Sequence, residues 1–235
     1  MVRKPERSTQ LPFAFGHVPS YARQDFINGE TNQAAFAFIE GWPGGWPGRS
    51  GALWGPEGSG KTHLAHIWAK AALAEILDPR TFTHETVARL GGGGAWVMDD
   101  ADLAGDAVGL FHLLNFVNQT NGSLLLTGRE PPQTWSRGLA DLRSRLAGLP
   151  GAALAQPDDA LLARVMLKLF ADRQLKVPEG LIPYLVVRME RSFAVAERLV
   201  AMIDELALQE RRNISLEIGA EALSRVAADS AGDLG

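Results

Sequence analysis

The stretch GPEGSGKT, residues 55–62, sets three glycines, a lysine and a hydroxyl at the spacing that a polyphosphate requires. Gly55, Gly58 and Gly60 let the backbone curl so that its N–H groups face the phosphates, with Pro56, Glu57 and Ser59 between them as further loop contacts. Lys61 adds a point charge at the β/γ end and Thr62 offers its hydroxyl to Mg²⁺. The helix that follows, with His63 in its first turn, turns its positive end toward the ligand. The bland alternative is a glycine-rich turn with no ligand. A chance match should occur in on the order of 1% of chains of this length, and here a strand before and a helix after are both legible, so nucleotide binding is expected.

Further along, WVMDDAD ends an apolar run with Asp99 and Asp100. A Mg²⁺ ion that already carries phosphate oxygens and a hydroxyl wants an anionic partner, which Asp99 can supply directly or through water. Asp100 could then orient or deprotonate an attacking water. An isolated Asp-Asp pair is more often a solvated turn capping the next helix; the P-loop upstream is what favours the metal reading.

The elements that must position these groups can be read from pattern. GALW before the P-loop, AWVM before the aspartates and SLLLTG at 123–128 read as buried strands. Helical patterns follow the P-loop, from Lys61 to about Ile76, and the aspartates, around DAVGLFHLLNFVNQT. Strands alternating with helices predict an α/β fold, a parallel sheet covered on both faces. Thr31 looks like an N-cap opening a short helix that stops at the loop WPGGWPG. From Pro157 the pattern is helical only, which predicts a small all-α lid domain. The resulting division is a tail at 1–20, an α/β nucleotide-binding domain at 21–156, a lid at 157–228 and a frayed end at 229–235.

Composition sets outer bounds. The 235 residues are 46% hydrophobic and 21% charged, enough for one large or two modest cores. A formal net charge of -4 gives no global field toward nucleic acid or an acidic membrane. The chain has no cysteine, which removes thiolate chemistry and zinc ribbons. With no signal-like or membrane-length apolar run, a cytoplasmic protein with no membrane partner is expected.

Three later features narrow the reading. The strand SLLLTG leads into a polar end, Thr127 to Arg129, expected between the other two strands and near a γ-phosphate; DLRSRL at 141–146 carries Arg145 with Leu142 and Leu146 facing inward, and ERSFAVAERLV opens with Arg191 in its first residues. In this order they resemble sensor 1, arginine finger and sensor 2 of a P-loop AAA+ module. Residues 21–226 are similar to the ATPase domain of the replication initiator DnaA, with YARQDFINGETNQAA, LRSRL and the segment from Pro157 matching its boxes. The resemblance implies that Tyr21 to Ile27, including Phe26 and Ile27, border adenine, and that Arg191 reaches the nucleotide from the lid. It also implies that Thr127 senses the γ-phosphate and that Arg145 acts on the nucleotide of a neighbouring subunit.

After the P-loop helix too few residues remain for the extra helix of AAA+ initiators, and the sequence ends soon after the lid, where an initiator continues into a helix-turn-helix domain. The resemblance is therefore closest to the Hda-type DnaA homologues, which join the replicative sliding clamp and promote hydrolysis of ATP on DnaA. It implies ADP or ATP with Mg²⁺ as cofactors and DnaA and the DNA polymerase III sliding clamp as partners. It also implies no sequence-specific DNA reading and leaves homo-oligomerisation open. Such a protein works chiefly as an ATPase-activating partner, its own ADP or ATP serving as a brace. In this frame QLPFAFGH, residues 10–17, resembles a clamp ligand, with Gln10 at a polar rim and Leu11, Phe13 and Phe15 in an apolar groove. A DNA-handling initiator or helicase loader, and a self-contained P-loop kinase, remain as alternatives.

Overall fold

A computed structural model describes residues 21–232. The strand β1 (Ser50–Trp54) runs straight into the P-loop, and α2 (Lys61–Ala72) leaves it; α1 (Gln33–Glu40) precedes both. There follow β2 (Glu75–Ile76), α3 (His84–Arg89), β3 (Ala95–Met98), α4 (Ala107–Gln119), β4 (Ser123–Gly128), α5 (Ala140–Ala147) and β5 (Gly151–Ala153). The order across the sheet is β2-β3-β4-β1-β5 and every pairing is parallel. Because Met98 pairs with Leu126 and Trp54 with Gly128, the carboxyl ends of β3, β4 and β1 lie side by side. That edge is where ligands of open α/β sheets bind.

Strand periodicity divides the core in two. Trp96, Met98, Leu124 and Leu126 face α4 and α5, packing with Leu110, Leu113, Leu142 and Leu146. Their neighbours Val97 and Leu125, with Leu53, face α1 and α2 and pack with Ile39, Leu64 and Trp68. The sheet is thus the middle of three layers. A third core belongs to the helices that follow, α6 (Asp159–Asp172), α7 (Leu181–Val186), α8 (Phe193–Glu210) and α9 (Leu216–Gly232), around Met166, Phe170, Leu199 and Ile203.

Several boundaries differ from those expected, each for a local reason. Helix α2 stops at Ala72 because Leu73 turns left-handed, at φ 52°, and Ile76 belongs instead to the edge strand β2. That strand and β5 escape a periodicity reading because they have only two and three residues. The N-cap of α1 is Asn32, not Thr31. Asn32 is 2% exposed and its amide works backward, accepting from the Gly29 N–H at 2.8 Å and donating to the Ile27 carbonyl at 3.1 Å. At the other end of the chain α9 continues through Gly232, past the expected end at 228. No helix among the described residues is long and apolar enough to cross a membrane.

The loop at 42–48 is more than a spacer. Trp46 is 7% exposed, stacks on Phe38 at 4.7 Å and on Trp68 at 5.7 Å, and donates its indole N–H to the Phe38 carbonyl at 2.8 Å. It closes the α1–α2 side of the sheet from a segment without regular structure. Trp46→Ala should cost about 3 kcal/mol, read as a lowered midpoint in urea denaturation. The corresponding Leu208→Ala, at a side chain 68% exposed on the lid, should shift that midpoint hardly at all.

Candidate functional site

The P-loop is shaped by what crosses it. The Gly55 N–H donates to the Gly128 carbonyl at 3.2 Å, tying the loop to the tip of β4, and a Cβ at Gly55 would lie 2.2 Å from the Leu154 carbonyl oxygen. Gly58 has φ +69° and its carbonyl accepts the Phe193 N–H at 3.0 Å, so the loop touches the start of α8. Lys61, 6% exposed, turns its ammonium onto the loop's own carbonyls, Gly55 and Pro56, both at 2.8 Å. Burial holds its pKa below that of a free lysine, against the opposing pull of Asp100 and Asp99. These two bonds are the ones a phosphate group would replace.

Asp99 joins three elements. Thr62 at the start of α2 donates its hydroxyl to one Asp99 oxygen at 2.7 Å, and Thr127 on β4 donates to the other at 2.5 Å. The Thr127 hydroxyl in turn accepts the Asp100 N–H at 2.9 Å. Thr127 is 0% exposed and, like Asp99, is not part of the cavity lining; its hydroxyl is engaged by Asp99 and by the Asp100 N–H. Thr62 and Asp99 sit together as a hydroxyl–carboxylate pair. A Mg²⁺ that keeps most of its waters and takes phosphate oxygens needs no more from the protein, so these residues fit that ion.

Asp100, left-handed at φ 52°, points into the cavity and its carboxyl pKa is raised, first by burial and then by the nearby Asp99 and Asp102 charges. A carboxylate with raised proton affinity beside the phosphate end is suited to orient a water or accept its proton. Across the mouth, Arg129 forms an ion pair with Glu57 at 2.8 Å while its backbone N–H is held by Asp102 at 3.1 Å.

The cavity encloses about 360 Å³ between the α/β layers and the lid. Phe26, Ile27, Tyr21 and His63 form its far end. Phe26 stacks on Phe36 at 5.1 Å and meets His63 edge-on, and His63 Nε2 lies 3.2 Å from the Ala22 carbonyl, which fixes the leading segment over α2. Gly58, Gly60, Lys61, Thr62 and Glu57 line the opposite end, whereas Ser59 is buried beneath the loop at 1% exposure. Pro56 contributes a carbonyl to Lys61 and is not part of the lining.

Arg191 differs from its expected place. It precedes Ser192, the N-cap of α8, and its guanidinium pairs with Asp159 at 3.0 Å, away from the cavity lining. The lid residues that do line the cavity are Phe193, Ala194 and Glu197 on α8, and Val165, Lys168, Leu169 and Asp172 on α6. Lys168 is itself held by Asp25 at 2.9 Å and by Asp172 at 2.6 Å. The i,i+3 and i,i+4 spacings that put these groups on one face were present in the sequence, but nothing in it said which face meets the P-loop. Arg145 lies outside the cavity lining, exposed on α5, where Leu142 and Leu146 are buried as expected and its guanidinium sits 5.3 Å from the Phe111 ring. Gln10, Leu11, Phe13 and Phe15 lie outside the described residues.

Two measurements follow from this geometry. A Cβ on Gly58 would fall 1.9 Å from the Ser192 hydroxyl, which caps α8. Gly58→Ala should therefore cost about 2 kcal/mol through a strained left-handed residue and a lost cap. It should also open the lid to limited proteolysis, while Gly105→Ala, whose methyl meets nothing within 4 Å, should do neither. The His63 pKa is lowered, chiefly by burial, so the unfolded chain binds more protons on acidification and stability falls as pH drops through the free imidazole value of 6.5. His63→Phe should flatten that part of a melting-temperature profile.

No family model matches the chain. Among solved structures, domain III of the Thermotoga maritima replication initiation protein DnaA superposes with a TM-score of 0.73 at 16% identity, covering 89% of this chain and 98% of that one. A replication initiator DnaA bound to AMPPCP and single-stranded DNA gives 0.63 at 18% identity, over 83% of this chain and 69% of that one. The Thermotoga maritima RuvB Holliday junction branch migration motor gives 0.67 at 18% identity, over 87% and 72% respectively. The chain has the α/β fold of a P-loop AAA+ module with its helical lid, in a form similar to that of DnaA.

Proposed function

We propose that this chain is an AAA+ regulator that holds an adenine nucleotide, ADP or ATP with Mg²⁺, between its P-loop and lid and promotes ATP hydrolysis on a DnaA-type initiator. The observation that carries the reading is the separation of two arginine-bearing or lysine-bearing sites. Lys61 with Thr62 and Asp99 serves the chain's own cavity, while Arg145 stands exposed on another helix, free of that cavity. A cation so presented is placed to meet an anion held by another molecule, which supports the reading.

In its own site the chain's groups would act as follows. The loop N–H groups and Lys61 take the phosphates, Thr62 and Asp99 take the metal, and Phe26 and Ile27 border the base. The metal would neutralise phosphate charge there. Asp100 supplies a proton acceptor, but no arginine of the lid reaches the cavity, which favours a braced nucleotide over rapid turnover. On the partner, Arg145 would meet charge developing on the transferring phosphoryl group, a contribution of about 10³ to 10⁵ in rate where such fingers operate. Gln10, Leu11, Phe13 and Phe15 would tether the chain to the sliding clamp.

The test is reconstitution of DnaA loaded with ATP and clamp loaded on DNA, followed by single-turnover ATP loss. Addition of the wild-type chain should accelerate loss, and Arg145→Ala should reduce that acceleration by a factor of about 100 or more with its own nucleotide affinity intact. Full stimulation by Arg145→Ala would remove the finger. The likeness to a DNA-bound DnaA and to RuvB keeps one rival, a DNA-handling protein. That rival requires nucleotide-dependent DNA affinity that falls steeply with salt.

A further inference from the structure

The ion pair between Glu57 and Arg129 lies inside the proposed nucleotide site, and both partners line the cavity. Arg129 follows β4, whose last residue Gly128 is in register with Trp54, immediately before the P-loop. Its backbone is anchored by the bond from its N–H to Asp102, and its guanidinium is held by Glu57. The Arg129 charge is already felt at Lys61 and at Asp100, both beside the phosphate end. Glu57 holds the other end of the pair from within the loop that would cradle the phosphates, and the pair is open to water, with side chains 55% and 76% exposed.

Such an exposed pair is weak. A terminal phosphate carries more charge than a carboxylate and suits the planar fork of a guanidinium, so it competes well for the same donors. The lid offers no replacement cation at that end. Phe193, Ala194 and Glu197 are what α8 turns inward, and Lys168 is engaged by Asp25 and Asp172. Arg129 is thus the positive charge in the lining left for a γ-phosphate after Lys61 has met the β-phosphate.

We propose that Glu57 and the γ-phosphate compete for Arg129, so that the pair is a latch, closed over a diphosphate and opened by a triphosphate, which sets the preference of the site between them. The inference rests on the adenine-nucleotide reading above. Glu57 opposes ATP in two ways, by withholding the guanidinium and by adding a negative charge to the loop. Only the first depends on Arg129, which makes the two separable.

The experiment is calorimetric titration of the full chain with ADP and with AMPPCP, both with Mg²⁺, for wild type, Glu57→Gln, Arg129→Gln and the double variant. Arg129→Gln should weaken AMPPCP binding about tenfold and leave ADP within about twofold, the scale of one charge-assisted contact. Glu57→Gln should tighten AMPPCP by about fivefold more than ADP. In the Arg129→Gln background that extra gain should shrink to the part that comes from the Glu57 charge alone. An unchanged AMPPCP-to-ADP ratio in Arg129→Gln overturns the latch. So does an equal gain from Glu57→Gln with or without Arg129, which would leave only a general charge effect. Failure of the wild-type chain to bind either nucleotide would instead overturn the reading beneath it.

Discussion

Asp99 accepts a hydroxyl from Thr62 and another from Thr127, and through those two bonds the first helix after the P-loop, the β3 tip and the β4 tip become one unit. Because Thr127 also receives the Asp100 N–H, the next carboxylate is fixed at a left-handed backbone and aimed into the cavity rather than at solvent. A part-buried carboxylate without partners would be costly. Here both oxygens are satisfied, and the Thr62 hydroxyl is kept within reach of any ion that binds at Asp99. The parallel sheet exists around this junction, since the registers of β1, β3 and β4 bring the three carboxyl ends level.

Much of this was legible in the sequence because it is local or periodic. GPEGSGKT matches a phosphate loop, and AWVM and SLLLTG are short apolar runs that read as buried strands without reference to the rest of the fold. The strands β3 and β4 lie on those runs, at Ala95–Met98 and Ser123–Gly128, while the face each side chain takes was not legible because both faces are apolar. What was not legible depends on partners distant in the chain. Strand β2 is two exposed residues that count as a strand only because Val97 and Trp96 pair with them. Trp46 sits in a glycine- and proline-rich segment that reads as solvent-exposed, yet Phe38 and Trp68 bury it. Thr127 reads as a polar tip facing a ligand until the carboxylate opposite it is known.

The lid shows the same limit at the site itself. Arg191 lies close to the P-loop in space because Ser192 abuts Gly58, and the order of the sequence motifs alone would aim it at the nucleotide. Helix geometry decides otherwise. The cap position fixes where α8 begins, the face toward the cavity then carries Phe193, Ala194 and Glu197, and Arg191 falls outside the first turn, against Asp159. One residue of phase about a helix axis is 100°, enough to exchange an arginine for an alanine at a phosphate site. Periodicity gives the spacing of a stripe; only the docking of α8 onto the loop gives its direction.

That exchange bears on how the molecule divides its charges. A site meant for fast hydrolysis gathers cations around the terminal phosphate, whereas this cavity spends Lys168 on two aspartates and turns Glu197 inward. Its remaining arginine at that end, Arg129, is occupied by Glu57. Meanwhile Arg145 stands outside on a helix whose two leucines are sunk in the core, its guanidinium resting against the Phe111 ring without a carboxylate partner among the described ion pairs. An aromatic face steadies a guanidinium while leaving its N–H donors unspent, so the group is ready to meet an anion from elsewhere. Arg129 at the cavity mouth is held by an anion and Arg145 on α5 has no ion-pair partner among the described residues, the difference on which the proposed function rests.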